Sequence, residues 1–253
     1  MRLAKQAGLR GLVLKNHFTM TADRAALAMT QVDDLEIFGG VALNRAIGGI
    51  NPEAVRQMVA FDGGRGKVVW LPTFDAEFYV SRAGSGDSFV SIIRDGAPVP
   101  ELLEVFELVA EHDLVLAMGH SAPEEVLQLI PIAQNLGVGK ILVTHVFGQD
   151  ATPEQMRRMA ALGVVMELDW LAVYSDGESN GEGGGVSIED YVRAIDSLGA
   201  EYFLISSDFG QAGNPDHASG MKAFIRALRS AGLSAAQIDL MARRNPARLL
   251  GLD

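Results

Sequence analysis

Three apolar runs in this 253-residue chain end in side chains that can hold a metal ion or move a proton. "DLVLAMGH" delivers His120, "KILVTH" delivers His145 and "EYFLISSD" delivers Asp208. Imidazole nitrogen and carboxylate oxygen together suit Zn, Fe, Mn or Ni. A divalent ion on such donors lowers the pKa of its water towards neutrality and generates hydroxide able to attack an electrophilic carbon or phosphorus. A neighbouring carboxylate then accepts the proton and returns it to a leaving group. The chain has no cysteine, so thiolate ligands, a cysteine nucleophile and disulfides are excluded, and any metal must sit on His and carboxylate.

Such a site requires elements that bring together positions 25 and 63 residues apart (145 − 120 and 208 − 145). Short apolar runs alternate with segments of helical period. Strands are predicted over residues 11–14, 35–43, 67–71, 114–118, 140–143, 163–168 and 202–206. Between them "NPEAVRQMVA" starts a helix with Asn51 as N-cap, "SAPEEVLQLI" with Ser121, and "TPEQMRRMAALG" with Thr152. Strand–helix–strand units are right-handed and pack helices outside a parallel sheet. Seven in a row predict an α/β fold, a TIM-type (β/α)8 barrel, with a doubly wound sheet as the alternative. Residues 1–253 read as a single domain. In a barrel the C-terminal strand ends converge on one mouth, which would gather His120, His145 and Asp208 there.

Other residues are candidates for the same mouth. Lys15 and His17 follow the strand at 11–14; a lysine there would bind an anionic substrate group or an oxyanion, and both are read as catalytic candidates. Asn44 and Arg45 precede Gly48, Gly49 and a helix start, a cradle for a carboxylate or phosphate of the substrate. Asp75 is a ligand, a substrate contact or a turn residue, and His217 lies in the loop after the Asp208 strand, facing the pocket. His112, at a helix C-terminus, reads as structural. Two segments break the rhythm. Residues 74–100 hold "SFVSIIRDGAPVPE", a hairpin turning at Asp95-Gly96, and "SDGESNGEGGGVS" reads as a flexible Gly-rich surface loop, with an ordered active-site lid as the alternative.

The balance of 32 acidic against 21 basic residues, a formal charge of −11, disfavours nucleic acid and anionic membranes as partners. A small-molecule substrate is expected, and a homo-oligomer stays open. The apolar run near the N-terminus is four residues long, too short for a signal or membrane span, so a cytoplasmic location is expected.

Across nearly its whole length, the sequence resembles the amidohydrolase superfamily, through "GLRGLVLKNHFTMTADRAAL", "GGINPEAV", "LLEVFELVAEHDLVLAMGHSAPEE" and the closing "MARRNPARLLGLD". The resemblance implies a metal-dependent hydrolase on a (β/α)8 barrel, acting on an amide, ester, lactone or phosphoester. His120 then matches the fifth-strand histidine, His145 the sixth-strand histidine, and Asp208 the eighth-strand aspartate, which makes these three the metal ligands and Asp208 the proton carrier. The first-strand His-x-His of that family is absent, so the chain is expected to lack the first strand, with "MRLAKQAG" as the tail of the first helix. No lysine ends the fourth strand of the pattern, which limits the site to one ion, zinc by preference. Metal-dependent decarboxylation and a degenerate, non-catalytic ligand-binding barrel are the alternatives.

Overall fold

The computed structural model describes residues 1–174 and 185–252, so most of the Gly-rich loop, residues 175–184, lies outside the described residues. The chain divides into two compact units, Met1–Leu142 and Val143–Asp253.

The first unit runs α1 (Arg2–Gln6), β1 (Gly11–Val13), α2 (Ala22–Met29), β2 (Glu36–Ala42), α3 (Pro52–Ala60) and β3 (Gly66–Trp70). It continues through α4 (Glu77–Ala83), the short β4 (Ile93–Arg94) and β5 (Ala97–Pro98), α5 (Pro100–Glu111), β6 (Val115–Ala117) and α6 (Pro123–Asn135) to β7 (Ile141–Val143), whose last residue is the first of the second unit. Pairing is parallel from β1 to β2, β2 to β3, β3 to β6 and β6 to β7. Strands covered by helices are buried on both faces, which explains why their sequences are continuous apolar runs rather than alternating ones. Ile37, Val41, Val69 and Leu116 of the strands are fully buried, as are Val55, Met58, Leu102, Val105 and Phe106 of α3 and α5. Each such side chain contributes about 1.5–3 kcal/mol by leaving water. Helix α1 is the helical segment expected at the start, and its Ala4 packs with Ala25, Leu35 and Ile37. The antiparallel hairpin β4–β5 turns where expected, with Asp95 at φ 52° and Gly96 at φ 78°, the positive angles a tight two-residue turn requires.

Asn51 caps α3, its side chain accepting from Glu53 N at 3.1 Å. Ser121 does not cap α6, contrary to the sequence expectation. Its Oγ donates to Met118 O at 2.7 Å, the helix begins behind Ala122, and Glu125 accepts the Ala122 N–H at 2.9 Å. The hydroxyl is drawn to a strand-end carbonyl, and the glutamate three residues on takes over one orphaned N–H.

The second unit carries α7 (Pro153–Ala161), β8 (Val165–Asp169), α8 (Trp170–Tyr174), α9 (Ile188–Leu198), β9 (Phe203–Ser206), α10 (His217–Ser230), α11 (Ala235–Asp239) and α12 (Asn245–Leu250). Thr152 caps α7, in a reciprocal pair with Gln155. Strands β8 and β9 are parallel, with Asp169 opposite Ser206 at their C-terminal ends. Buried Asn245 donates through Nδ2 to Phe203 O at 2.6 Å and so ties the last helix to the start of β9. All seven predicted strands are present, and the alternation of helix and parallel strand makes the chain α/β. Among the described residues, no helix is long and apolar enough to cross a membrane.

Gly119 sets the end of β6. It has φ 60°, and a Cβ there would lie 2.3 Å from Pro72 O and 2.4 Å from Leu71 O. Only glycine lets the backbone approach β3 this closely while His120 N donates to Pro72 O at 2.9 Å. Gly119→Ala should therefore destabilise the protein by more than about 3 kcal/mol in urea unfolding, whereas Gly163→Ala, at φ 75° with nothing within 4 Å of its Cβ, should cost about 1 kcal/mol. Equal losses at the two positions would disprove the close-approach argument.

Candidate functional site

His145 follows β7 and Asp208 follows β9, and each sits at φ 48°, in the left-handed region. His and Asp are among the residues that tolerate this conformation, yet it still costs about 1–3 kcal/mol each. The two residues are brought together: His145 Nε2 is 3.6 Å from Asp208 Oδ2. On the other side of the ring, Nδ1 is 3.1 Å from Asp169 Oδ2 and 3.7 Å from Glu167 Oε2. Asp169 is buried and closely held. Its Oδ1 accepts from Ala172 N at 2.8 Å, and its backbone carbonyl accepts from the Tyr191 hydroxyl at 2.9 Å. Burial holds the Tyr191 phenol well above its usual pKa, so the ring stays a donor.

Burial alone would push the His145 imidazole pKa down. The carboxylates of Asp169, Asp208 and Glu167 override it and raise the value to about 9. Even with His145 protonated, one positive charge faces three negative ones. A cluster with that surplus is stabilised by a cation. Ligand atoms of His145, Asp169 and Asp208 lie within 4.8 Å of one another. Donors on opposite sides of a divalent ion with bonds of about 2.1 Å stand about 4.2 Å apart, so the cluster has the dimensions of a metal site. One imidazole among oxygen donors fits Zn, Mn or Fe.

Sequence reading passes over Glu167 and Asp169. The signal was present in "VVMELDW", where two carboxylates at i and i+2 of an apolar strand must share one face.

The first unit gathers another group of strand-end side chains. His17 Nδ1 lies 2.8 Å from Thr73 Oγ1, and its ring stacks on Phe74 with centroids 3.8 Å apart. The buried His120 ring is 6.3 Å from that of His17 and 5.2 Å from that of Tyr79. Lys15 holds its ammonium 5.9 Å from the Trp70 ring centroid, a cation–π contact. Asn44 is buried and ties three strand ends. Its Nδ2 donates to His17 O and Thr73 Oγ1, and its Oδ1 accepts from Thr73 N. The expected anion cradle at Arg45 meets a carboxylate of the chain itself, because Asp75 Oδ2 accepts the Arg45 N–H at 2.8 Å. The Arg45 side chain is exposed and reaches Ser88 O. His217 is not in a loop, as the sequence suggested, but is the first residue of α10 behind the N-cap Asp216. Partial burial lowers its pKa. His112 is the C-cap of α5.

Residues 1–167 match the model of a family of unknown function, DUF6282. No curated protein matches the chain. Among solved structures, an organophosphorus hydrolase from Deinococcus radiodurans is similar with a TM-score of 0.62 at 15% identity, covering 99% of this chain and 81% of that one. A mutant of a PTE-like lactonase from the same organism gives 0.63 at 17%, covering 99% and 84%. The phosphotriesterase homology protein from Escherichia coli, complexed with phosphate in its active site, gives 0.60 at 16%, covering 96% and 85%. These likenesses show a shared TIM-like fold.

The raised His145 pKa has a measurable sign. In metal-free protein the charged imidazole is favoured by the folded state, so its contribution to stability is complete below the ordinary value of 6.5 and is lost as pH rises through about 9. The melting temperature of metal-free protein should fall across that window, and His145→Gln should flatten the profile. A wild-type profile that is flat from pH 6.5 to 9 would contradict the charge cluster.

Proposed function

This chain belongs to the DUF6282 family, and we propose that it is a metal-dependent hydrolase of the amidohydrolase type acting on a small-molecule ester, lactone or phosphoester. The observation that carries this reading is the grouping of His145, Asp169 and Asp208 within 4.8 Å at the C-terminal ends of parallel strands. The fold is taken as the TIM-type (β/α)8 barrel lacking its first strand that the sequence implies. Neighbours of that fold named as organophosphorus hydrolase and PTE-like lactonase support the choice of phosphoesters and lactones over amides.

His145 and Asp208 would hold one divalent ion, zinc by preference, with Asp169 beside them. When bound, the ion supplies Lewis acidity and an acidified water. Asp208 is the most exposed of the three acids, at 23% of its side chain, and among the described residues its carboxylate makes no hydrogen bond. It is thus the one able to take a proton on Oδ2 and pass it to a leaving group. Asp169 and Glu167 hold the imidazole from the Nδ1 side. The roles of His120 as a further ligand and of Lys15 and His17 as catalytic groups rest on the sequence alone.

Metal analysis of the purified protein, followed by assays with a lactone and an aryl dialkyl phosphotriester, tests the reading. About one divalent ion per chain and turnover abolished by chelation are expected. Asp208→Asn should lower turnover by about two to four orders of magnitude, while the melting temperature changes little. Full turnover in a folded Asp208→Asn protein, or in protein stripped of metal, would overturn it.

A further inference from the structure

The two nitrogens of His145 face different environments. Nδ1 is within hydrogen-bond distance of Asp169 Oδ2 at 3.1 Å, whereas Nε2 stands 3.6 Å from Asp208 Oδ2, beyond a hydrogen bond. We propose that Asp169 is a positioning residue and not a metal ligand: it holds His145 in the Nδ1–H tautomer and thereby presents Nε2, on the Asp208 side, as the ligating atom. This rests on the metal-site reading above and goes beyond it by dividing the cluster into one carboxylate that binds and one that orients.

Three features separate the carboxylates. Asp169 has both oxygens engaged, Oδ1 by Ala172 N at 2.8 Å and Oδ2 at His145 Nδ1. Its backbone is anchored by the Tyr191 hydroxyl at 2.9 Å, and Tyr191 is itself fully buried against Phe147 and Phe224. A carboxylate engaged at both oxygens on an anchored backbone cannot swing towards an ion without breaking a buried contact, which costs about 1–3 kcal/mol. Asp208 carries no such bond among the described residues and its side chain is partly open. Glu167 Oε2, 3.7 Å from Nδ1, adds negative potential on the same side as Asp169 and favours the proton there. A ligating histidine that donates its other ring N–H to a carboxylate is fixed in orientation and made more basic.

The test uses protein labelled with nitrogen-15 in histidine, with the His145 signal identified by its loss in His145→Gln. In metal-free wild type, at alkaline pH where the imidazole is neutral, the signal should report Nδ1–H. In Asp169→Asn the amide oxygen can keep Ala172 N while the amide NH2 turns to Nδ1, so the tautomer should invert to Nε2–H. Zinc titration should then show affinity about 10- to 100-fold weaker at unchanged stoichiometry. An Nε2–H tautomer in the wild type, an unchanged tautomer in Asp169→Asn, or zinc bound through Nδ1 would each overturn the proposal. The wild-type measurement needs no variant to fold. If the wild type binds no zinc, the metal reading fails, while the tautomer in the metal-free protein still decides the role of Asp169.

Discussion

Negative charge in excess of what one imidazole can neutralise is the constraint around which the second unit is built. Glu167, Asp169 and Asp208 converge on His145, with side-chain exposures of 13%, 6%, 23% and 12% respectively. Carboxylates withdrawn from water to this degree are tolerated only with hydrogen bonds, protons or a cation to compensate. The surrounding structure provides the first two in part, through Ala172 N on Asp169 Oδ1 and a proton on His145. The parallel register of β8 and β9 puts Asp169 level with Ser206, so Asp208 needs only a two-residue extension beyond the strand to reach the ring.

The first unit meets a different demand at the same ends of its strands. Parallel strands that stop together leave backbone N–H and C=O groups with no partner in the sheet. Asn44 answers this by engaging His17 O, Thr73 N and Thr73 Oγ1 with one amide, and Asp75 closes the next gap at Arg45 N. His17 and Thr73 are therefore placed by the same tie, which couples the loop after β1 to the end of β3.

The fold was legible because buried parallel strands are apolar throughout and their boundaries carry recognisable signals, as at Asn51-Pro52, Thr152-Pro153 and Asp95-Gly96. Where two polar groups compete for one role, the sequence could not say which wins. Ser121 and Glu125 both suit the start of α6, and the nearby Met118 carbonyl decided between them. Asn44 shows the same ambiguity, since an amide that ties strand ends and one that binds a ligand have identical chemistry. His217 sits inside α10 because Asp216 acts as its N-cap, accepting the Ser219 N–H and hydroxyl, a pairing that a Pro-Asp turn in the sequence conceals. His145 and Asp208 were visible as strand-end residues, but Asp169 and Glu167 took their meaning from a neighbour distant in sequence.

Among the described residues, the non-glycine positions at positive φ are five aspartates and His145. Aspartate is thus the ordinary choice of this chain for left-handed turns, and His145 is the exception. Backbone conformation consequently filters residue identity at the two positions before chemistry does. Glutamate at 208 would preserve the charge and cysteine at 145 a metal-binding atom, but neither shares the tolerance of aspartate and histidine for this conformation. Any redesign of the donor set has to solve the turn first, which leaves far fewer usable side chains than coordination chemistry alone would allow.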